Sequence, residues 1–195
     1  MAHNTTGEID SILWVDCEFT GLDPETDKLL QVAAVVTTPD FQEIADYNSF
    51  IYQPSHVLHP LMTRDSWWLE RPEHMSYVAG AVASVGKITT VVDDEFSEFI
   101  RTSCSPDMKN TIYAGNSPHK DRCFIEANLP LTETLIGYRT LDVSSLKILA
   151  KHALGIEYPK NYSHDATQDI RESIAEAKFL LGAMCNDDVK QAFGL

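Results

Sequence analysis

The run Ile12-Leu13-Trp14-Val15 passes straight into Asp16-Cys17-Glu18, and few folds accommodate that junction. Four consecutive apolar residues of this kind read as a strand buried on both faces. Side chains alternate faces along a strand, so Asp16 and Glu18 share one face, roughly 6–7 Å apart, and Cys17 points to the other. Two carboxylates on one side of a buried strand repel each other unless solvent, a cationic partner or a metal ion lies between them. The pair alone leaves a solvated strand end and a ligand pair both open.

Further strand-like runs occupy 28–37, 43–52 and 111–115. The connection "TGLDPETD" between the first two strands is rich in turn formers. Helical spacing then takes over, with Phe96, Phe99 and Ile100 after Thr90, and Phe124 and Ile125 after Pro118. Val143, Leu146, Ile148 and Leu149 mark a third helix, and residues 166–181 a fourth. The stretch 53–90 has no clear period. Early strands and a helical second half indicate an α/β domain with a mixed central sheet flanked by helices, spanning 8–185, with 1–7 and 186–195 as terminal extensions. The four cysteines form no CxxC pair and read as free, buried thiols.

Two more segments carry acids at element starts. In "YAGNSPHKDRCFI", Pro118 suits the first turn of a helix, which lets Asp121 face back towards the preceding strand end. An Asp there is also favoured simply by the helix dipole. In "YSHDATQDIRESI", Asp165 and Gln168 have the spacing of a capping box, with Asp165 as N-cap. His164 then lies just before the helix and Asp169 one turn into it. Four carboxylates suit hard divalent cations such as Mg²⁺ or Mn²⁺, and no Cys/His cluster suggests zinc. Two such ions can stabilise both the attacking and the leaving oxygen of a phosphodiester, and a neighbouring histidine can take the proton of the attacking water.

Charge narrows the substrate. With 15 Lys and Arg against 29 Asp and Glu, the net charge is −14. That argues against holding long nucleic acid by counterion release and leaves room for an enzyme with a small footprint. No segment has the length of a membrane span, and the N-terminus lacks the pattern of a signal peptide or an Arg-rich leader. The expectation is a cytoplasmic protein, or a mitochondrial one as the alternative in a eukaryote.

The segments "WVDCEFTGLDP", "YAGNSPHKDRCF", "YRTLDVSSLKILAKH" and "HDATQDIRESIAE" together resemble the oligoribonucleases, DEDDh 3′→5′ exonucleases with a ribonuclease H-like fold. The resemblance runs from about residue 11 to 182, with the motifs in the family's order. It implies that Asp16, Glu18, Asp121 and Asp169 bind two divalent cations and that His164 is the general base. It also implies that Leu22 wedges against substrate bases. Ser117, Tyr138, Arg139 and Ser144 match the set that caps a terminal phosphate, the tyrosine coming from the second subunit of a homodimer. A stacking Trp and a following His are expected near 60–90, where Trp67, Trp68 and His74 are the candidates and the spacing leaves both tryptophans open. The implied activity is release of nucleoside 5′-monophosphates from single-stranded RNA of about two to five nucleotides, too short to require a broad basic surface. Action on longer RNA or DNA ends, and a non-catalytic module that binds metal or RNA ends, are the alternatives.

Three positions depart from the family pattern. Gln31 stands where a Glu is usual, Asp165 where an Arg follows the catalytic histidine, and Gln168 where a second acid is common.

Overall fold

A computed structural model of the chain describes residues 8–159 and 165–184. The first apolar run forms β1 (Ser11–Phe19), followed by β2 (Leu29–Thr37) and β3 (Glu43–Phe50) as an antiparallel meander. Later, β4 (Thr111–Gly115) adds parallel to the other edge of β1, and the three-residue β5 (Thr140–Asp142) adds parallel to β4. The strand order is β3-β2-β1-β4-β5, which leaves β1 at the centre of a mixed sheet. Every residue of β2 is buried, so "LLQVAAVVT" is apolar on both faces rather than alternating.

Helices cover both faces. One face of the sheet presents Leu13, Val15 and Cys17 to Phe96 and Ile100 of α4 (Thr89–Ser103) and to Phe124 and Ile125 of α5 (His119–Asn128). The other presents Ile12 and Trp14 to α7 (Val143–Leu154) and to Ile170, Ile174 and Leu180 of α8 (Ala166–Met184). Strand alternation therefore fixes what faces what: Asp16 and Glu18 continue the Trp14 face, towards α8. Gly155, with φ +67°, closes α7 in the left-handed conformation that a side chain disfavours.

The unreadable stretch resolves into α1 (Ser55–Arg64), α2 (Ser66–Leu69) and α3 (Pro72–Ser84). They enclose a third apolar cluster, with Leu58, Met62, Trp68, Val78 and Val82 packed on Leu30 of β2. A short helix α6 (Pro130–Glu133) lies between α5 and β5. The expected strand and helix positions elsewhere agree with the structure to within a few residues, β5 and the single-turn α6 not having been foreseen. Cys17 and Cys104 are free and buried as expected, but Cys123 lies on the exposed side of α5, and Cys185 falls outside the described residues. The terminal extensions 1–7 and 186–195 also lie outside them. Among the described residues, no helix is long and apolar enough to cross a membrane.

Candidate active site

Where β1 ends, the sheet opens into a cavity of about 470 Å³ whose lining includes Asp16, Glu18 and Asp169. Asp169 arrives from the first turn of α8. Asp165 caps that helix as its spacing predicts: its carboxylate accepts the Gln168 N–H at 3.0 Å and its carbonyl the Asp169 N–H at 2.8 Å. His164, immediately before this cap, lies outside the described residues.

Asp121 reaches β1 from the first turn of α5, only 5% exposed, and its Oδ1 accepts the Cys17 N–H at 2.9 Å. Burial pushes the Asp121 carboxyl up to about 7; the Cys17 N–H opposes that shift and the negative charge of Glu18 adds to it. Burial likewise pushes the Cys17 thiol well up, with Asp121, Asp16 and Glu18 reinforcing the shift. A buried carboxyl facing further acids is stabilised in its charged form by a cation, and an all-oxygen donor set suits a hard divalent ion. By that chemistry the residues fit divalent cations. Among the described residues, no three His, Cys, Asp or Glu side chains stand ready-made around one point.

One wall of the cavity comes from the 53–90 region. Trp68 is 1% exposed, donates its indole N–H to the Phe19 carbonyl at 3.3 Å, and stacks on His74 with ring centroids 5.2 Å apart. His74 is buried in turn, with Nε2 3.3 Å from Oε1 of Glu18. Trp68 and His74 thus brace Glu18 from inside the fold. Trp67 is 39% exposed, stands edge-on to both rings and carries the Arg71 guanidinium 4.6 Å from its centroid. Of the two tryptophans, Trp67 has surface to offer a base.

Leu22 lines the same cavity and is 63% exposed. Its turn is held by the buried Asp27, which accepts from Thr20 Oγ1 at 2.9 Å, from the Asp23 N–H at 3.1 Å and from Arg64 at 2.6 Å. Gly21 is required there, because a Cβ would lie 2.5 Å from Asp27 Oδ2.

Ser117 and Ser144 are brought together, their hydroxyls 3.1 Å apart. Ser117 has a left-handed φ of 55°, uncommon outside glycine, and donates its N–H to Asp142 at 3.0 Å. Asp142 also caps α7 by accepting the Ser144 N–H. Tyr138 and Arg139 lie elsewhere, bordering a separate hollow with Met108 and Ile136. Arg122 holds that loop by donating to the Gly137 carbonyl at 2.7 Å and to Glu133 at 2.6 Å, so Tyr138 stands 85% exposed.

The cavity also includes Asp65, Arg71, Asn116 and Ser173, which residue type alone did not single out. Asn116 and Ser173 lie within the motifs A-G-N-S and R-E-S-I, so position in a motif was the available signal. Gln31 sits opposite Glu18 in the β1–β2 register and is buried; its amide donates to Asn48, and Asn48 donates to Thr167 at 3.2 Å. The departure from Glu thus supplies a neutral link from the sheet to the start of α8.

The family model described as "Exonuclease" matches residues 13–64 and 79–177. An oligoribonuclease of Francisella tularensis subsp. tularensis is 34% identical over 173 residues, covering 87% of this chain and 93% of that protein. One of Hahella chejuensis is 34% identical over 181 residues, covering 87% and 92%. Among solved structures, exonuclease I of Methylocaldum szegediense aligns with a TM-score of 0.66 at 18% identity. That alignment covers 95% of this chain but 43% of the neighbour, so the chain spans under half the length of that protein. Escherichia coli exonuclease I, solved in complex with a dT13 oligonucleotide, aligns with a TM-score of 0.61, also at 18% identity. The chain belongs to the exonuclease family, with the ribonuclease H-like fold. Within that family the oligoribonucleases above match it over nearly their full length, and it is a 3′→5′ exonuclease of the hydrolase class.

Proposed function

We propose that this enzyme removes nucleotides one at a time from the 3′ end of very short RNA, about two to five nucleotides long, releasing nucleoside 5′-monophosphates. The observation that carries the proposal is the convergence of Asp16, Glu18 and Asp169 on one cavity that Leu22 and Trp67 also line, with Asp121 hydrogen-bonded to the same strand. Bound to these acids, two Mg²⁺ or Mn²⁺ ions would stabilise the attacking and the leaving oxygens of the phosphodiester. His164 takes the proton of the attacking water, the new bond forms to phosphorus, and the bond from phosphorus to O3′ breaks.

Leu22 and Trp67 grip the bases, since an exposed aromatic face stacks on any base without reading its sequence. Ser117 and Ser144 hold the phosphate at the far end of the substrate, and Arg139 can fork onto the same group. Because Tyr138 lies away from its own chain's cavity, its contribution comes from the second subunit of a homodimer. The net charge of −14 suits a substrate with few phosphates, in the cytoplasm.

The test is cleavage of a 5′-labelled RNA dinucleotide and 7-mer at equal concentration, with Mn²⁺ and with EDTA. Metal-dependent hydrolysis fastest on the dinucleotide is expected. A preference for the 7-mer removes the phosphate cap and favours longer substrates. Binding of the dinucleotide without cleavage would make the chain a binding module.

A further inference from the structure

Five polar groups between the serine pair and α8 form a hydrogen-bond chain whose direction can be worked out. Ser173, one turn after Asp169, donates its hydroxyl to the Asp169 carbonyl at 2.8 Å. Its single proton is thereby used, so Ser173 Oγ can only accept from the other side. Asn116 Nδ2 donates to it at 2.6 Å. That turns Oδ1 of the amide towards Ser144, whose hydroxyl donates to it at 3.2 Å. Ser144 has then spent its own proton, so the Ser117 hydroxyl, 3.1 Å away, must be the donor between the two serines. Donation runs one way: Ser117 to Ser144 to Asn116 to Ser173 to the carbonyl of Asp169.

This order matters when the serines meet an anion. Phosphate oxygens only accept, so Ser117 and Ser144 must both turn their protons outward to hold a phosphate. Ser144 then lets go of Asn116 Oδ1, and the amide is left fastened to Ser173 alone. Asn116 and Ser173 both line the cavity, beside Asp169. Filling the phosphate end therefore frees one side of the amide that is fastened, through Ser173, to the turn carrying a metal-binding acid.

We infer that Asn116 and Ser173 are positioning residues that couple the terminal-phosphate end of the site to Asp169, so that the preference of that end for a phosphate is expressed in turnover. The inference rests on the function proposed above. It adds a discriminating device that acts on turnover rather than on binding alone. Coupling between two sites commonly amounts to about fivefold or more.

The experiment compares one RNA dinucleotide with a 5′-phosphate and with a 5′-hydroxyl, measuring kcat and KM separately. The proteins are wild type, Ser144→Ala, Ser173→Ala and the double variant, each checked for folding by its thermal transition. Wild type is expected to prefer the phosphorylated dinucleotide. Ser173→Ala should lower that preference by about fivefold or more, mainly through kcat, and should add nothing in the Ser144→Ala background. Ser173→Thr, which keeps the hydroxyl, should retain the preference. If Ser173→Ala does not fold, Asn116→Ala breaks the same link from its other side.

A wild-type preference that survives Ser173→Ala, with both substrates slowed alike, overturns the coupling and leaves the proposed function standing. Effects of the two alanines that simply multiply also overturn it. Absence of any preference in wild type removes the phosphate end itself, and the coupling with it.

Discussion

Asp121 offers a test in which losing the chemistry strengthens the fold. Its carboxyl is buried and raised to about 7, whereas in the unfolded chain it titrates near the ordinary value of about 4. A carboxyl raised in the folded state favours folding most at low pH, and that contribution disappears as pH climbs through the folded value. For the cation-free protein, the destabilisation should be small near pH 5, where the folded carboxyl stays protonated, and should reach roughly 4 kcal/mol near pH 8.5, where it must ionise inside the fold. Asp121→Asn keeps an oxygen to accept the Cys17 N–H and cannot ionise. Relative to wild type, the Asn variant should therefore gain about 3 kcal/mol between these two pH values while losing hydrolysis. Urea denaturation in EDTA, at both pH values and with the slope checked for constancy, reads this directly. A stability difference independent of pH would show that Asp121 is not raised by burial, and the account of the site's electrostatics would fail with it.

The remaining expectations are simpler. Trp68→Ala should cost about 3–5 kcal/mol of stability, because the side chain is core, whereas Trp67→Ala should leave stability within about 1 kcal/mol and raise KM roughly tenfold. Thermal melts and kinetics on the same two variants separate these cases, and equal losses of stability would erase the distinction. Gly21→Ala should destabilise by about 1–3 kcal/mol, since the new Cβ meets a carboxylate held by Arg64 and Thr20 rather than a free side-chain end. Denaturant midpoints check it, and a neutral result would mean that the turn relaxes freely. Arg122→Ala should cost about 2–3 kcal/mol and speed amide exchange in residues 133–139, because Glu133 and the Gly137 carbonyl lose their shared donor. Unchanged exchange there would show that the loop is held by other contacts. His164→Ala and Asp169→Ala should abolish hydrolysis with the fold retained, and near-normal turnover of the first would remove His164 as the base.

The sheet and the acids were legible in the chain because each is written locally. Strand alternation alone put Asp16 and Glu18 together and Cys17 opposite, and cap spacing alone marked the start of α8 at Asp165. The helices of 55–84 were not legible, since α1 contains Pro60, α2 is a single turn, and α3, at 13 residues, is mixed in polarity and interrupted by Gly80. Their order comes from packing on Leu30, a contact no window of sequence contains. β5 was missed for a similar reason: three residues take strand geometry only because β4 offers them an edge. Which tryptophan faces the cavity and which fills the core depended on the same tertiary contacts.

The two matched stretches of the family model leave out residues 65–78, the segment that carries Trp67, Trp68, Arg71 and His74. It is anchored by its own apolar cluster, apart from the cores that hold the acid-bearing strand and helices. The part proposed to grip the substrate and the part proposed to cut it are thus separately sprung, like a jaw bolted to an anvil. Beside the acids they touch where His74 meets Glu18 and where Trp68 meets the Phe19 carbonyl, and beyond these the segment packs on Leu30 and Phe50 of the sheet. On the function proposed above, the jaw can be recut for a different oligonucleotide while the anvil stays true, provided those contacts are kept.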